Sequence, residues 1–110
     1  MPKSKKSAKT NQEPIFEVGS GNIFIDLGFP EEEAANLLMR SNLMMLLKDD
    51  IQDHHWTQQR AAKELDVSQS RISDLFTGQI HKFSVDMLMK LLNRVGKEVV
   101  LSVRDKTEVA

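Results

Sequence analysis

The sequence predicts an all-α domain of four to five helices, carrying one C-terminal β-strand and a flexible N-terminal extension. Three observations carry this reading. Ala, Leu, Met, Val and Ile recur near helical spacing from residue 34 to residue 95. Thr57, Ser68 and Ser84 stand just before such stretches, and Gly78 and Gly96 just after them, as helix starts and stops require. The last apolar run, EVVLSV from Glu98, is instead β-branched and short, a strand pattern placed at residues 98–104. At 110 residues the chain has room for one small domain.

Taken in order, residues 1–14 hold four Lys against one Glu and no apolar anchor beyond Met1 and Ala8, which predicts a disordered basic tail. Residues 15–29, IFEVGSGNIFIDLGF, hold two apolar patches, Ile15-Phe16-Val18 and Ile23-Phe24-Ile25-Leu27-Phe29, around a Gly19-Ser20-Gly21 hinge. Both patches read as too short and glycine-broken for a helix. The segment is therefore expected to be extended, packing on its own domain as a strand or awaiting a partner. Its GSGN piece is not a phosphate loop, because no Gly-Lys-Ser/Thr follows at the required spacing.

The domain proper is expected over residues 30–110. Pro30 suits a first helical turn, and Glu31, Glu32 and Glu33 suit the positive end of the dipole. Ala34, Leu37, Leu38, Leu43, Met44, Leu47 and Ile51 then mark an inner face up to about Asp53. Thr57 caps a second helix with inner residues Ala61, Ala62 and Leu65, and Asp66-Val67 makes a turn. Ser68 caps a third helix that buries Ile72, Leu75 and Phe76 before Gly78. Ser84 caps a fourth, with Phe83 and Leu88 placed as a hydrophobic staple and Val85, Leu88, Leu91, Leu92 and Val95 as its stripe. The lone strand needs a hydrogen-bonding partner. Two are available, NIFIDL in the same chain or the same strand of a second copy, so Val99, Val100, Leu101 and Val103 are candidates for a dimer interface.

The formal net charge is only −1, but it is unevenly spread. Residues 30–54 carry −4, whereas residues 55–97 carry +3, so one face can be basic although the molecule is not. There is no cysteine, hence no disulfide or thiolate chemistry, which suits a cytoplasmic protein. No run of about 18 apolar residues offers a membrane span, and no apolar stretch follows the N-terminal lysines to make a secretory signal. Adjacent His54 and His55 point to different sides of a helix and His81 is distant, so no metal site and no cofactor are expected. Trp56 and most of the methionines read as core. Glu31 to Glu33 and Asp49-Asp50 are surface charges near helix ends rather than a pocket, and no catalytic class fits.

WTQQRAAKELDVSQSRISDLFTG, residues 56–78, supplies two short helices, a tight turn and a small residue, Ala62, where the helices cross. That is a helix-turn-helix. Asp66 falls where a left-handed residue is expected. With the inner face used, Gln69, Ser70, Arg71, Ser73, Asp74 and Thr77 are left outside, a row of hydrogen-bonding groups on the tip and flank of a rigid helix. A Gln amide matches adenine N6 and N7, and an Arg fork matches guanine O6 and N7, in the major groove. Gln69, Ser70, Arg71 and Asp74 are thus candidates for base readout. Thr57, Gln58, Lys63, Ser73, Thr77, His81 and Lys82 are candidates for phosphate contact.

These residues resemble the helix-turn-helix of the lambda-repressor/Cro and Xre group, in the Thr-Gln opening, the central Ala, Val-Ser-Gln-Ser, and the closing Leu-Phe-Thr-Gly. The resemblance implies a lambda-repressor-like fold in which Gln69 reads an adenine, braced by Gln58, which also holds a phosphate. The wider chain, from SGNIFIDLGFPEEEAANLLMRS to FSVDMLMKLLNRVGKEVVLSVR, is similar to HigA-type antitoxins. That implies a cytoplasmic, nucleoid-associated homodimer that represses its own operon at a palindromic double-stranded operator and neutralises an mRNA-cleaving toxin of the RelE superfamily. Ile15, Phe16, Val18, Ile23, Phe24 and Ile25 would then be toxin-binding candidates. The competing expectations are a stand-alone phage or plasmid repressor with no toxin, and a protein-interaction module with no DNA affinity.

Overall fold

The structure, a computed structural model, describes residues 22–106. The expected basic tail, and Ile15, Phe16 and Val18, lie outside the described residues. Five α-helices follow one another: α1 (Ile23–Asp26), α2 (Glu31–Asp53), α3 (Gln58–Leu65), α4 (Gln69–Phe76) and α5 (Val85–Arg94), with a 3-10 turn at Ile80–Lys82 between the last two. The all-helical expectation therefore holds for the described residues.

Four of the five helix starts are set by single side chains, while α2 starts at Pro30 without a side-chain cap. The oxygens of Asn22, Thr57, Ser68 and Ser84 accept from the backbone N–H of Phe24, Arg60, Arg71 and Met87. Each satisfies one of the donors that a helix N-terminus leaves unpaired. Helix ends are equally uniform. In all five, a left-handed residue returns its N–H three residues back, and the next residue returns its N–H five residues back: Trp56 to Ile51, Val67 to Ala62 and Lys97 to Leu92 are examples. This is the Schellman closure. Three of the left-handed positions are glycines, but His55 (φ 59°) and Asp66 (φ 58°) are not. A side chain there is strained by roughly 1–2 kcal/mol, less for Asp, which tolerates the conformation. His55→Gly is therefore expected to stabilise the fold by about 0.5–1 kcal/mol after the added freedom of the unfolded chain is subtracted. Asp66→Gly should give less, and urea melts followed by circular dichroism rank the two.

The core lies where α2 packs across α5 and α4, and α3 closes against α4 and α5. Leu47, Ile51, Leu65, Ile72 and Leu88 are its fully buried members. Phe83 is 2% exposed beside Leu88 at 0%, as the staple at the start of α5 requires. Phe76, expected inside, is only half-buried, with the Lys48 ammonium 5.8 Å from its ring centre. Trp56 packs against the core edge and stacks on His54 with ring centres 4.2 Å apart.

Two expectations need correction. The NIFIDL piece is not extended: Ile23–Asp26 makes a single helical turn, capped by Asn22, whose Nδ2 also donates to the Ala34 carbonyl at 3.3 Å. A turn this short shows no periodicity in sequence, but the Asn cap and the Gly28 stop are both local and both present. Nor is there a strand at residues 98–104. Residues 97–106 hold no regular structure, and among the described residues no backbone N–H from Glu98 onward donates to another backbone group. A strand exists only as a ladder, and the intrachain partner is occupied as helix. Val99 alone packs on the core, while Val100, Leu101 and Val103 are exposed. The segment is rooted by Lys97, whose Nζ lies 3.4 Å from Asp50 Oδ1. Asp50, expected at the surface, is buried where this segment crosses the end of α2, between Lys97 and His54.

Candidate nucleic-acid interface

α3 and α4 meet through Asp66-Val67, and the corner is pinned from outside. Arg94, on the last turn of α5, donates from Nη1 to the Leu65 carbonyl at 2.7 Å. That carbonyl ends α3, where a cation suits the dipole. A hydrogen bond to a charged donor contributes about 1.5–3 kcal/mol, so Arg94→Ala should lower stability by about 1.5 kcal/mol. Chemical denaturation measures the loss, and an unchanged midpoint would remove the pin from this account.

With Ile72 and Leu75 buried, α4 presents its N-terminal end outward. Gln69 and Ser70 are exposed and make no side-chain hydrogen bond among the described residues. They follow the Ser68 cap, so their amide and hydroxyl are free to meet a groove edge. Thr77 is exposed too, but its hydroxyl donates back to the Ser73 carbonyl at 2.9 Å. Ser73 and Asp74 are half-buried on the flank. The Asp74 carboxylate faces Lys82 Nζ at 3.7 Å.

Arg71 sits differently from its expected outward reach. Its Nη1 donates to the Lys82 carbonyl at 3.0 Å, and its guanidinium carbon lies 5.5 Å from the Phe83 ring centre. The fork is turned toward the loop after α4, eleven residues on. Arg40, from the middle of α2, completes this arrangement by donating from Nη1 to the carbonyls of Ile80 and Phe83, both at 3.2 Å. Two arginines thus hold three carbonyls of the segment that carries exposed His81 and Lys82. Neither Arg40 nor Arg94 was singled out from sequence. Arg40 had a signal, being spaced three residues after Leu37 and four before Met44, on a face that is otherwise buried.

On α3, Thr57 uses its hydroxyl oxygen to cap Arg60 N–H at 3.0 Å, which leaves its own O–H free to donate. Gln58 is half-buried beside it and Lys63 is exposed. No hydrogen bond joins Gln58 to Gln69 among the described residues, so the implied bracing is not formed here. Arg60 is paired with Glu64 at 2.7 Å. The structure thus packs α3, which starts at Thr57 and Gln58, against α4, which starts at Gln69 and Ser70, and places the His81–Lys82 loop beside α4 through Arg71 and Asp74. Among the described residues there is no group of three or more His, Cys, Asp or Glu able to hold a metal. No helix there is long and apolar enough to cross a membrane.

Two helices closed by a left-handed turn, the second offering a polar tip, define a helix-turn-helix protein. The chain belongs to a helix-turn-helix domain family, whose sequence model matches residues 23–104. It is also similar to a solved structure bearing the name of an XRE family transcriptional regulator, at 29% identity and a TM-score of 0.65, over 74% of this chain and 91% of that one. No curated protein matches the chain.

Proposed function

We propose that this protein is a sequence-specific DNA-binding transcriptional regulator of the XRE type, acting as a repressor. The observation that carries the reading is the exposed tip of α4, where Gln69 and Ser70 make no side-chain hydrogen bond among the described residues, although Ser68 beside them caps the helix. In the reading, α4 enters the major groove, Gln69 pairs with an adenine edge, and Ser70 and Asp74 contact neighbouring bases. Thr57, Gln58, Lys63, Ser73, Thr77, His81 and Lys82 line up on phosphates. Arg71 positions the Lys82 loop rather than reading a base. Two copies, about 34 Å apart at their recognition helices, would match a palindromic operator. A gel shift on the DNA upstream of the gene, repeated over a salt series and against scrambled competitor, tests the reading. Binding that ignores sequence, or no binding at low salt, overturns it.

A second reading, the antitoxin of a HigBA-type module, is favoured by one specific observation. Helix α1 buries none of its residues, and it and its exit expose Ile23 (55%), Ile25 (47%) and Leu27 (66%) to solvent. Such a patch supports a protein partner seated there, here a RelE-superfamily toxin. Co-expression with the product of the neighbouring gene separates the two: capture that is lost in Ile23→Asp/Ile25→Asp supports the antitoxin, and capture of nothing favours the stand-alone regulator.

A further inference from the structure

We propose that residues 97–105 pair antiparallel with the same residues of a second copy of this chain, about a two-fold axis through Leu101. The proposal rests on the dimeric reading above and supplies its interface. Among the described residues the main-chain N–H groups from Glu98 onward have no backbone acceptor, and all the apolar side chains but Val99 face water, Val103 at 96% and Val100 at 80% exposure. Backbone groups in a β-branched run gain a ladder only from a second edge.

The sequence itself selects the register. Centred on Leu101, the pairs are Lys97 with Asp105, Glu98 with Arg104, Val99 with Val103, Val100 with Ser102, and Leu101 with its own copy. Both charged pairs are opposite in sign; two-fold symmetry makes the Glu98–Arg104 pair twice, and Lys97, whose Nζ is held by Asp50, sets its positive charge opposite Asp105 at each end of the ladder. A slip by one residue in one direction sets Glu98 against Asp105 and Lys97 against Lys106. In the other direction it sets Lys97 against Arg104. A parallel in-register pair would oppose every charge to itself. The strand period of two also sorts the faces. Val99, Leu101 and Val103 share one face, and Val99 already packs on the core, so the shared ladder extends each copy's core across the axis. Glu98, Val100, Ser102 and Arg104 make the opposite face, where the Glu98–Arg104 ion pairs stay near water, while Lys97 and Asp105 stand at the two ends of the apolar face.

Sedimentation equilibrium of the full chain tests the pairing through a charge swap. Glu98→Arg and Arg104→Glu singly should each weaken the dimer about tenfold, because each places two like-charged pairs in the ladder. The double variant restores the pairing and should recover affinity to near that of the parent. Folded single variants with unchanged association, or a double variant no tighter than the singles, overturn the register. A parent chain that stays monomeric overturns the dimer as well, while the gel shift above still judges DNA binding on its own. A cysteine provides a second readout, since the natural chain has none. Leu101→Cys should form a disulfide dimer on oxidation much faster than Val100→Cys, whose copy sits diagonally; equal rates count against the axis.

Discussion

Leu65→Ala is expected to cost about 2–5 kcal/mol of folding stability, a loss as large as any single truncation at the helix-turn-helix corner should give. Leu65 has no exposed surface and closes α3 within the buried cluster that includes Ala62, Ile72, Leu75 and Leu88. Removing its branched end leaves a cavity bounded by rigid helices, and the corner cannot collapse into it while Asp66 holds a left-handed turn and Arg94 holds the Leu65 carbonyl. Small domains have about 5–15 kcal/mol in hand, so this one change takes a large part of it. Urea unfolding followed by circular dichroism should show a shifted midpoint with an unchanged slope. Because the cavity lies beneath the interface, DNA affinity per folded molecule should change little at low temperature. A loss below 1 kcal/mol would mean the corner repacks freely, and with it the idea of a rigidly presented α4 would fall.

What was legible in the sequence was whatever is decided within a few residues. Thr57, Ser68 and Ser84 cap because a side chain can reach an N–H two or three positions on, and the left-handed exits at Asp66, Gly78 and Gly96 close on carbonyls three to five positions back. The inner faces of α2 to α5 followed from periodicity for the same reason. What failed was non-local. Residues 98–104 have the side chains of a strand, but a strand is a property of two segments, and the single chain supplies only one. The Ile23–Asp26 turn departs in the opposite sense: four residues beside glycines hold too little pattern to show a helix, and it is the Asn22 cap that starts one. Arg71 shows the same limit inside the site. Its place on α4 is readable, but the direction of its guanidinium depends on the Lys82 carbonyl, which the 3-10 turn brings back to it.

That direction separates three variants in the remaining large prediction. Gln69→Ala should lower affinity for the preferred operator by about 1–3 kcal/mol, roughly fivefold to 150-fold, while leaving scrambled DNA and the salt slope unchanged. A neutral amide releases no counterions, so removing it subtracts base discrimination alone. Lys82→Ala should weaken both DNAs alike and reduce the slope of log K against log salt by about 1, the signature of one lost phosphate contact. Arg71→Ala decides between its two roles. If the guanidinium stays on the Lys82 carbonyl when DNA binds, its loss frees the loop, and the variant resembles Lys82→Ala on scrambled DNA, with a smaller fall in slope. Should Arg71→Ala instead relax preference at one base pair, the side chain has left the loop to read a base. Anisotropy titrations at several salt concentrations, on matched and scrambled duplexes, resolve the three patterns. Equal losses from all three on the scrambled site would mean that the tip of α4 is not what meets the base edges.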